Sequence, residues 1–124
     1  PIPRRQRQMC IRDRCMIINN DLINKIGYFD ERYFAYQEDS DYCLTAINNG
    51  WKIYYNPDAI VVHHGGRGGA HYLPFKANFE WHRSYFRYYN KNFAKNYSTF
   101  FNLFYYSMML GKLIFAQTRL FLKS

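Results

Sequence analysis

Between Cys15 and His64 no apolar run is longer than four residues before a charged, polar or turn-forming residue interrupts it. From Phe75 onward there is one glycine, Gly111, and no proline. Short punctuated runs demand short elements, and long unpunctuated stretches demand long helices. The chain is therefore read as short elements followed by long helical stretches.

The short elements read in order. Cys15-Met16-Ile17-Ile18 is expected as a buried strand. Asn19, Asn20 and Asp21 are cap residues for a short helix carrying Leu22, Ile23 and Ile26, and Gly27 supplies its stop. Tyr33-Phe34-Ala35-Tyr36 is a second apolar run. Glu38-Asp39-Ser40-Asp41 opens another helix, in which Cys43, Ala46 and Ile47 recur at i, i+3, i+4 and which Gly50 ends. Trp51-Lys52-Ile53-Tyr54-Tyr55 alternates as a strand does. Asn56-Pro57-Asp58 is turn chemistry, and Ala59-Ile60-Val61-Val62 is a further expected strand. It enters His63-His64 and then a loop with four glycines in residues 65–69.

The 124 residues suit one domain. At 48% hydrophobic and 21% charged, the composition excludes wholesale disorder, while 13 Tyr, 11 Phe and 2 Trp make the chain aromatic. Three cysteines in no metal-type spacing exclude a disulfide miniprotein and a cysteine zinc module, and point to a reducing compartment. The net charge of +8 is uneven. Residues 15–74 carry four Lys or Arg against seven Asp or Glu, whereas residues 75–124 carry eight against Glu80 alone. Residues 1–14, with five Arg, show no apolar periodicity and no signal-peptide core. The string Met9-Cys10-Ile11-Arg12-Asp13-Arg14 looks like a translated sequencing adapter. The alternative is a disordered basic arm, and either way the segment is set apart from the fold.

Three constellations could carry chemistry. Carboxylates crowded at a helix start, as at Glu38, Asp39 and Asp41, complement the helix dipole and cap free N–H groups. Such crowding also makes a better general base. His63 and His64 end a strand pattern, so they face opposite ways, and one of them can be a ligand without the other. His71 and His82 match no zinc spacing. The glycine loop has no Walker or dinucleotide fingerprint, and it is either a backbone cradle for phosphate or a linker.

Taken in order, these residues resemble a known family. Gly27-Tyr28-Phe29-Asp30-Glu31-Arg32-Tyr33-Phe34, Tyr36-Gln37-Glu38-Asp39-Ser40-Asp41-Tyr42-Cys43-Leu44, Gly50-Trp51-Lys52-Ile53-Tyr54-Tyr55-Asn56-Pro57 and Val61-Val62-His63-His64 resemble the C-terminal half of family-2 glycosyltransferases, and rhamnosyltransferase-like bacterial members in particular. The resemblance runs from about Cys15 to Lys95. It implies an α/β fold, the C-terminal part of a nucleotide-diphospho-sugar transferase (GT-A) fold, followed by C-terminal helices. It also implies an inverting transfer from a nucleotide-sugar donor to a glycan or polyprenyl-linked acceptor, with a divalent metal, Mg or Mn, and basic groups stabilising the departing diphosphate. Asp39 resembles the general base, Glu38 and Asp41 its supporting acids, and His63, with His64 second, the metal or diphosphate contact. Thr45 stands where the family often has a basic residue. The family's nucleotide-binding strands and its Asp-x-Asp metal motif precede this region, so residues 15–95 are expected to be the acceptor-side half of an enzyme, inactive alone.

Residues 96–124 are expected to form an amphipathic helix. Its longest uncharged stretch, Asn96 to Gly111, is shorter than a membrane span. At a helical period Tyr105, Lys112, Arg119 and Lys123 share a narrow face, and Phe101, Phe104, Leu110, Ile114 and Phe121 spread over the rest. A membrane surface suits that pattern, on the inner, cytoplasmic face of the cell membrane. The alternative is packing against protein. The competing function class is a non-enzymatic basic membrane-surface or nucleic-acid-binding module. Nucleic acid is disfavoured, because base stacking needs aromatics on a sheet with interleaved basic residues, and here the basic residues lie in helices.

Overall fold

The computed structural model describes residues 15–62 and 73–122. The segment 1–14, His63, His64, the loop 65–69, His71 and Lys123 lie outside the described residues. The described chain divides into two compact units, residues 15–33 with 37–62 and residues 34–36 with 73–122.

In the first unit, α1 (Asn20–Ile26) begins at Asn19, whose backbone is extended and whose side chain accepts the Asp21 N–H at 2.8 Å. Asp21 in the first turn and Lys25 in the last complement the helix dipole. Gly27 ends the helix at φ 84°, and its N–H donates to the Ile23 carbonyl at 2.8 Å. The second helix, α2 (Glu38–Asn48), places three carboxylates in its first turn. The two helices bury Leu22, Tyr42 and Ala46 together, with Ile18, Ile26 and Trp51 packed against them. Polar bonds fix the pair. The Tyr42 hydroxyl donates to the Gly27 carbonyl at 3.0 Å, Lys25 Nζ to the Asn49 carbonyl at 3.2 Å, and the Trp51 N–H to the Ala46 carbonyl at 3.0 Å. Phe29 leans on the Tyr42 ring, with centroids 4.8 Å apart.

The expected sheet is not there. Among the described residues there are helices and no strand, which overturns the α/β, GT-A reading of the fold. The runs at 15–18, 51–55 and 59–62 carry neither helix nor strand pairing. Alternation and β-branching are local properties, whereas a strand exists only when a neighbour takes up its N–H and C=O groups. Among the described residues no such neighbour lies beside these runs, and although Ile18 and Trp51 pack on the core, others stand in solvent: Ile17 is 95% exposed and Ile60 92%.

The second unit is a pair of long helices, α3 (Pro74–Asn92) and α4 (Thr99–Phe121). Pro74 opens α3 at a position where no N–H is needed. A short 3-10 turn, Ala94–Asn96, leads to Ser98, whose hydroxyl caps α4 by accepting the Phe101 N–H at 3.3 Å. The aromatic excess is spent here. Tyr89 stacks on Tyr105 with centroids 3.8 Å apart, and its hydroxyl donates to Asn102 Oδ1. The Tyr106 hydroxyl donates to Asn90 Oδ1 at 3.0 Å, and the Phe86 ring lies 4.9 Å from that of Tyr106. Asn102 Nδ2 donates back to the Ala94 carbonyl at 2.9 Å, tying α4 to the turn that precedes it. Ser84, fully buried, donates to the Ala35 carbonyl at 2.6 Å and holds residues 34–36 on α3.

Candidate functional site

The chain enters α2 through two consecutive residues at positive φ, Tyr36 at 68° and Gln37 at 67°. Neither is a glycine, so each costs roughly 1–2 kcal/mol of local strain. Strain of this kind persists where surrounding structure enforces it, and it concentrates at functional sites. It sits immediately before the acidic helix start.

The three carboxylates of that start are not equivalent. Asp41 is 3% exposed, and its Oδ1 accepts the Tyr33 hydroxyl at 3.3 Å. Burial, and next the negative charge of Asp41, push the Tyr33 phenol well above its ordinary range, so it stays a donor. Asp39 is half-buried, and its Oδ1 accepts both the Ser40 N–H at 2.7 Å and the Ser40 hydroxyl at 3.3 Å. These bonds orient the carboxylate at the helix start. Glu38 is half-buried, and its Oε2 has no hydrogen-bond partner. In the same unit Asp30 is gripped by Arg32 through a two-point fork, Nε to Oδ1 at 2.8 Å and Nη2 to Oδ2 at 2.6 Å.

Of the sequence-predicted site residues, Glu38, Asp39 and Asp41 thus share one helix turn, and His63 and His64 lie outside the described residues. Among the described residues no group of three His, Cys, Asp or Glu could hold a metal ion. The described residues alone do not fit the expected Mg or Mn site, and no step proposed below passes through one. His82 is structural: it is buried, and its Nδ1 bonds the Asn78 carbonyl at 2.8 Å, one turn back in α3. Of the two described cysteines, Cys15 is exposed and Cys43 buried, and neither forms a disulfide among the described residues.

Sequence reasoning missed Tyr33. Its aromatic ring reads as core, and nothing in the local pattern shows that its hydroxyl reaches eight residues on to Asp41. Removing that hydroxyl, Tyr33→Phe, takes a donor from a buried charge. Hydrogen bonds to charged groups are worth about 1.5–3 kcal/mol, and a 3.3 Å bond belongs at the lower end. The expected result is a lower urea midpoint with an unchanged slope, and an unmoved midpoint refutes the role.

Comparison with known proteins finds a partial likeness. Over 50 residues the chain is 40% identical to an N-acetylglucosaminyl-diphospho-decaprenol L-rhamnosyltransferase of Mycobacterium tuberculosis (strain H37Rv), and equally to the protein of that name from strain CDC 1551. The match covers 40% of this chain and 16% of either relative. This stretch has a glycosyltransferase relationship. No family model matches the chain, and no solved structure matches it significantly.

Proposed function

We propose that this chain carries the acceptor side of a sugar-transfer reaction, with Asp39 as general base. The observation that carries the reading is the division of labour at the start of α2. Asp41 is buried and bonded to a phenol, while Asp39 is half-exposed and oriented by Ser40. In the proposed step the Asp39 carboxylate takes the proton of an acceptor hydroxyl. The hydroxyl oxygen forms the new bond to the anomeric carbon, the bond to the nucleoside diphosphate breaks with its electron pair, and the configuration inverts. Asp41, through Tyr33, fixes the helix start that presents the base, and Glu38, whose Oε2 is unpartnered, is the second supporting acid.

The substrate reading follows the relatives. Their name specifies an L-rhamnosyl transfer and a decaprenol-linked diphosphate. A nucleotide-sugar donor and a polyprenyl-linked or glycan acceptor are proposed here on that basis. His63 is assigned to the diphosphate side and His64 is not. Calorimetric titration with a nucleoside diphosphate, with Mg²⁺ or Mn²⁺ added, tests this assignment. His63→Ala is expected to weaken binding and His64→Ala to leave it close to wild type. Equal effects from both return the pair to a structural role.

A lipid-linked acceptor places the reaction at a membrane, and α4 supports that place. No described helix is long and apolar enough to cross a membrane. Yet α4 turns Phe100, Leu103, Phe104, Leu110, Ile114 and Phe121 outward, each more than half exposed. It contains no Asp or Glu, and Lys112 and Arg119 stand exposed on it. An outward apolar face beside cations matches an anionic lipid surface, so α4 is proposed to lie in the interface plane.

The experiment for the transfer step is a chimera. The region of the mycobacterial relative that this chain matches is replaced by the corresponding residues of this chain, and rhamnosyl transfer is followed. An inactive chimera that still binds donor argues against the assignment.

A further inference from the structure

Within the second unit, Tyr36 and residues of α3 and α4 line an open cleft of about 510 Å³. Tyr36, Trp81, Phe115 and Leu120 supply apolar walls, and Asn78 and Arg119 are polar groups on its lining. Among the described residues that line it, Arg119 is the one charged residue and none is a carboxylate. The Asn78 Nδ2 is buried and has no hydrogen-bond partner. The walls are held in place: Gln117 Nε2 donates to the Phe75 carbonyl at 3.1 Å across the two helices, and the Ser84 bond to Ala35 fixes the segment that carries Tyr36.

Each feature of the lining asks for a different part of one ligand. Aromatic and aliphatic walls of this volume take an apolar chain. An exposed guanidinium beside that chain takes an anionic oxygen group, and Arg is the residue best shaped for phosphate, while the enclosed Asn78 Nδ2 is not presented to a ligand. A free phosphate would leave the walls bare, and a neutral hydrocarbon would leave Arg119 unanswered. We infer that the cleft binds a single-chain amphiphile with a phosphate head, an isoprenyl diphosphate, its chain against Trp81 and Phe115 and its head at Arg119. The choice of an isoprenoid chain rests on the acceptor reading above, and it assigns that acceptor's lipid part to a surface separate from the Asp39 helix start.

Trp81 is in the wall, so its fluorescence reports occupancy. The full chain is used with Trp51→Phe, which leaves Trp81 as the single indole, and is titrated with farnesyl diphosphate below its micelle concentration. A saturable change in Trp81 emission is expected, together with none from inorganic pyrophosphate and a weaker response to farnesol. Arg119→Gln is expected to weaken farnesyl diphosphate binding about tenfold, as the loss of a charge-assisted bond does. Ala116→Trp, which fills the cleft, should abolish the response, and Ala77→Trp is the second plugging variant in case the first disturbs helix packing. Circular dichroism checks that each keeps its helix content. No saturable change, an equal response to farnesol, or a response surviving in both folded plugging variants overturns the inference. Binding here together with full turnover after loss of Asp39 would leave the cleft standing and remove the transfer reading; the reverse pattern removes the cleft alone.

Discussion

Asp39→Asn in the chimeric transferase is expected to lower turnover about 10²–10⁴-fold, the range over which a positioned general base contributes. The substitution keeps the shape of the side chain and an oxygen that can accept the Ser40 N–H at the helix start. What it removes is the capacity to take a proton. Because the base acts on the acceptor hydroxyl, affinity for the nucleotide-sugar donor should stay within about twofold, while turnover and turnover per acceptor affinity fall together, the pattern of an interaction made in the transition state. Asp41→Asn should behave differently. Asp41 is buried against Tyr33, so its loss should show first in stability and only then in rate. If Asp39→Asn retains more than about a tenth of wild-type turnover, the loss is below the general-base range and the assignment of Asp39 is wrong.

How far the sequence was legible follows the range of the interactions involved. Helix signals are local. Asn19 caps α1 and Gly27 ends it at positive φ, where the pattern of cap and stop residues puts them, and Pro74 and Ser98 open α3 and α4 by signals of the same local kind. Sheet signals are not. Trp51–Tyr55 alternates correctly and Ala59–Val62 is rich in β-branched residues, yet neither has a partner strand among the described residues. Strand propensity measures fit to a neighbour more than a preference of the backbone, so alternation without a neighbour does not make a sheet.

The candidate site divides in the same way. The clustering of Glu38, Asp39 and Asp41 could be read from their adjacency, since four consecutive residues at a helix start must share a turn. Their differing burial could not. It depends on Tyr33 closing over Asp41 and on the positive φ of Tyr36 and Gln37, and neither residue type advertises that conformation. The cleft of the second unit was equally hidden. Tyr36 and Arg119 come from opposite ends of the chain, and their meeting around Trp81 requires the α3–α4 packing itself.

The lipid-facing role proposed for α4 makes the other large prediction. At 3.6 residues per turn, Lys112 and Arg119 lie within about 20° of each other, so they meet a headgroup layer together. Each cation near an anionic leaflet adds about 1 kcal/mol. Lys112→Gln with Arg119→Gln should therefore weaken the binding of the full chain to phosphatidylserine vesicles about thirtyfold, at tenfold per 1.4 kcal/mol. Raising salt shortens the reach of these charges and should reproduce the effect in the wild type. Binding to neutral vesicles should barely change. The apolar part of the face has the opposite signature. Phe100 is 82% exposed and Phe104 62%, and Phe100→Ser with Phe104→Ser removes area that a bilayer interface would bury whatever its charge. That pair should lower binding to both kinds of vesicle and leave the salt dependence intact. Flotation of the four combinations separates the two contributions. Binding that is indifferent to lipid charge, to salt and to both pairs of substitutions would mean that the outward face of α4 is built to meet protein.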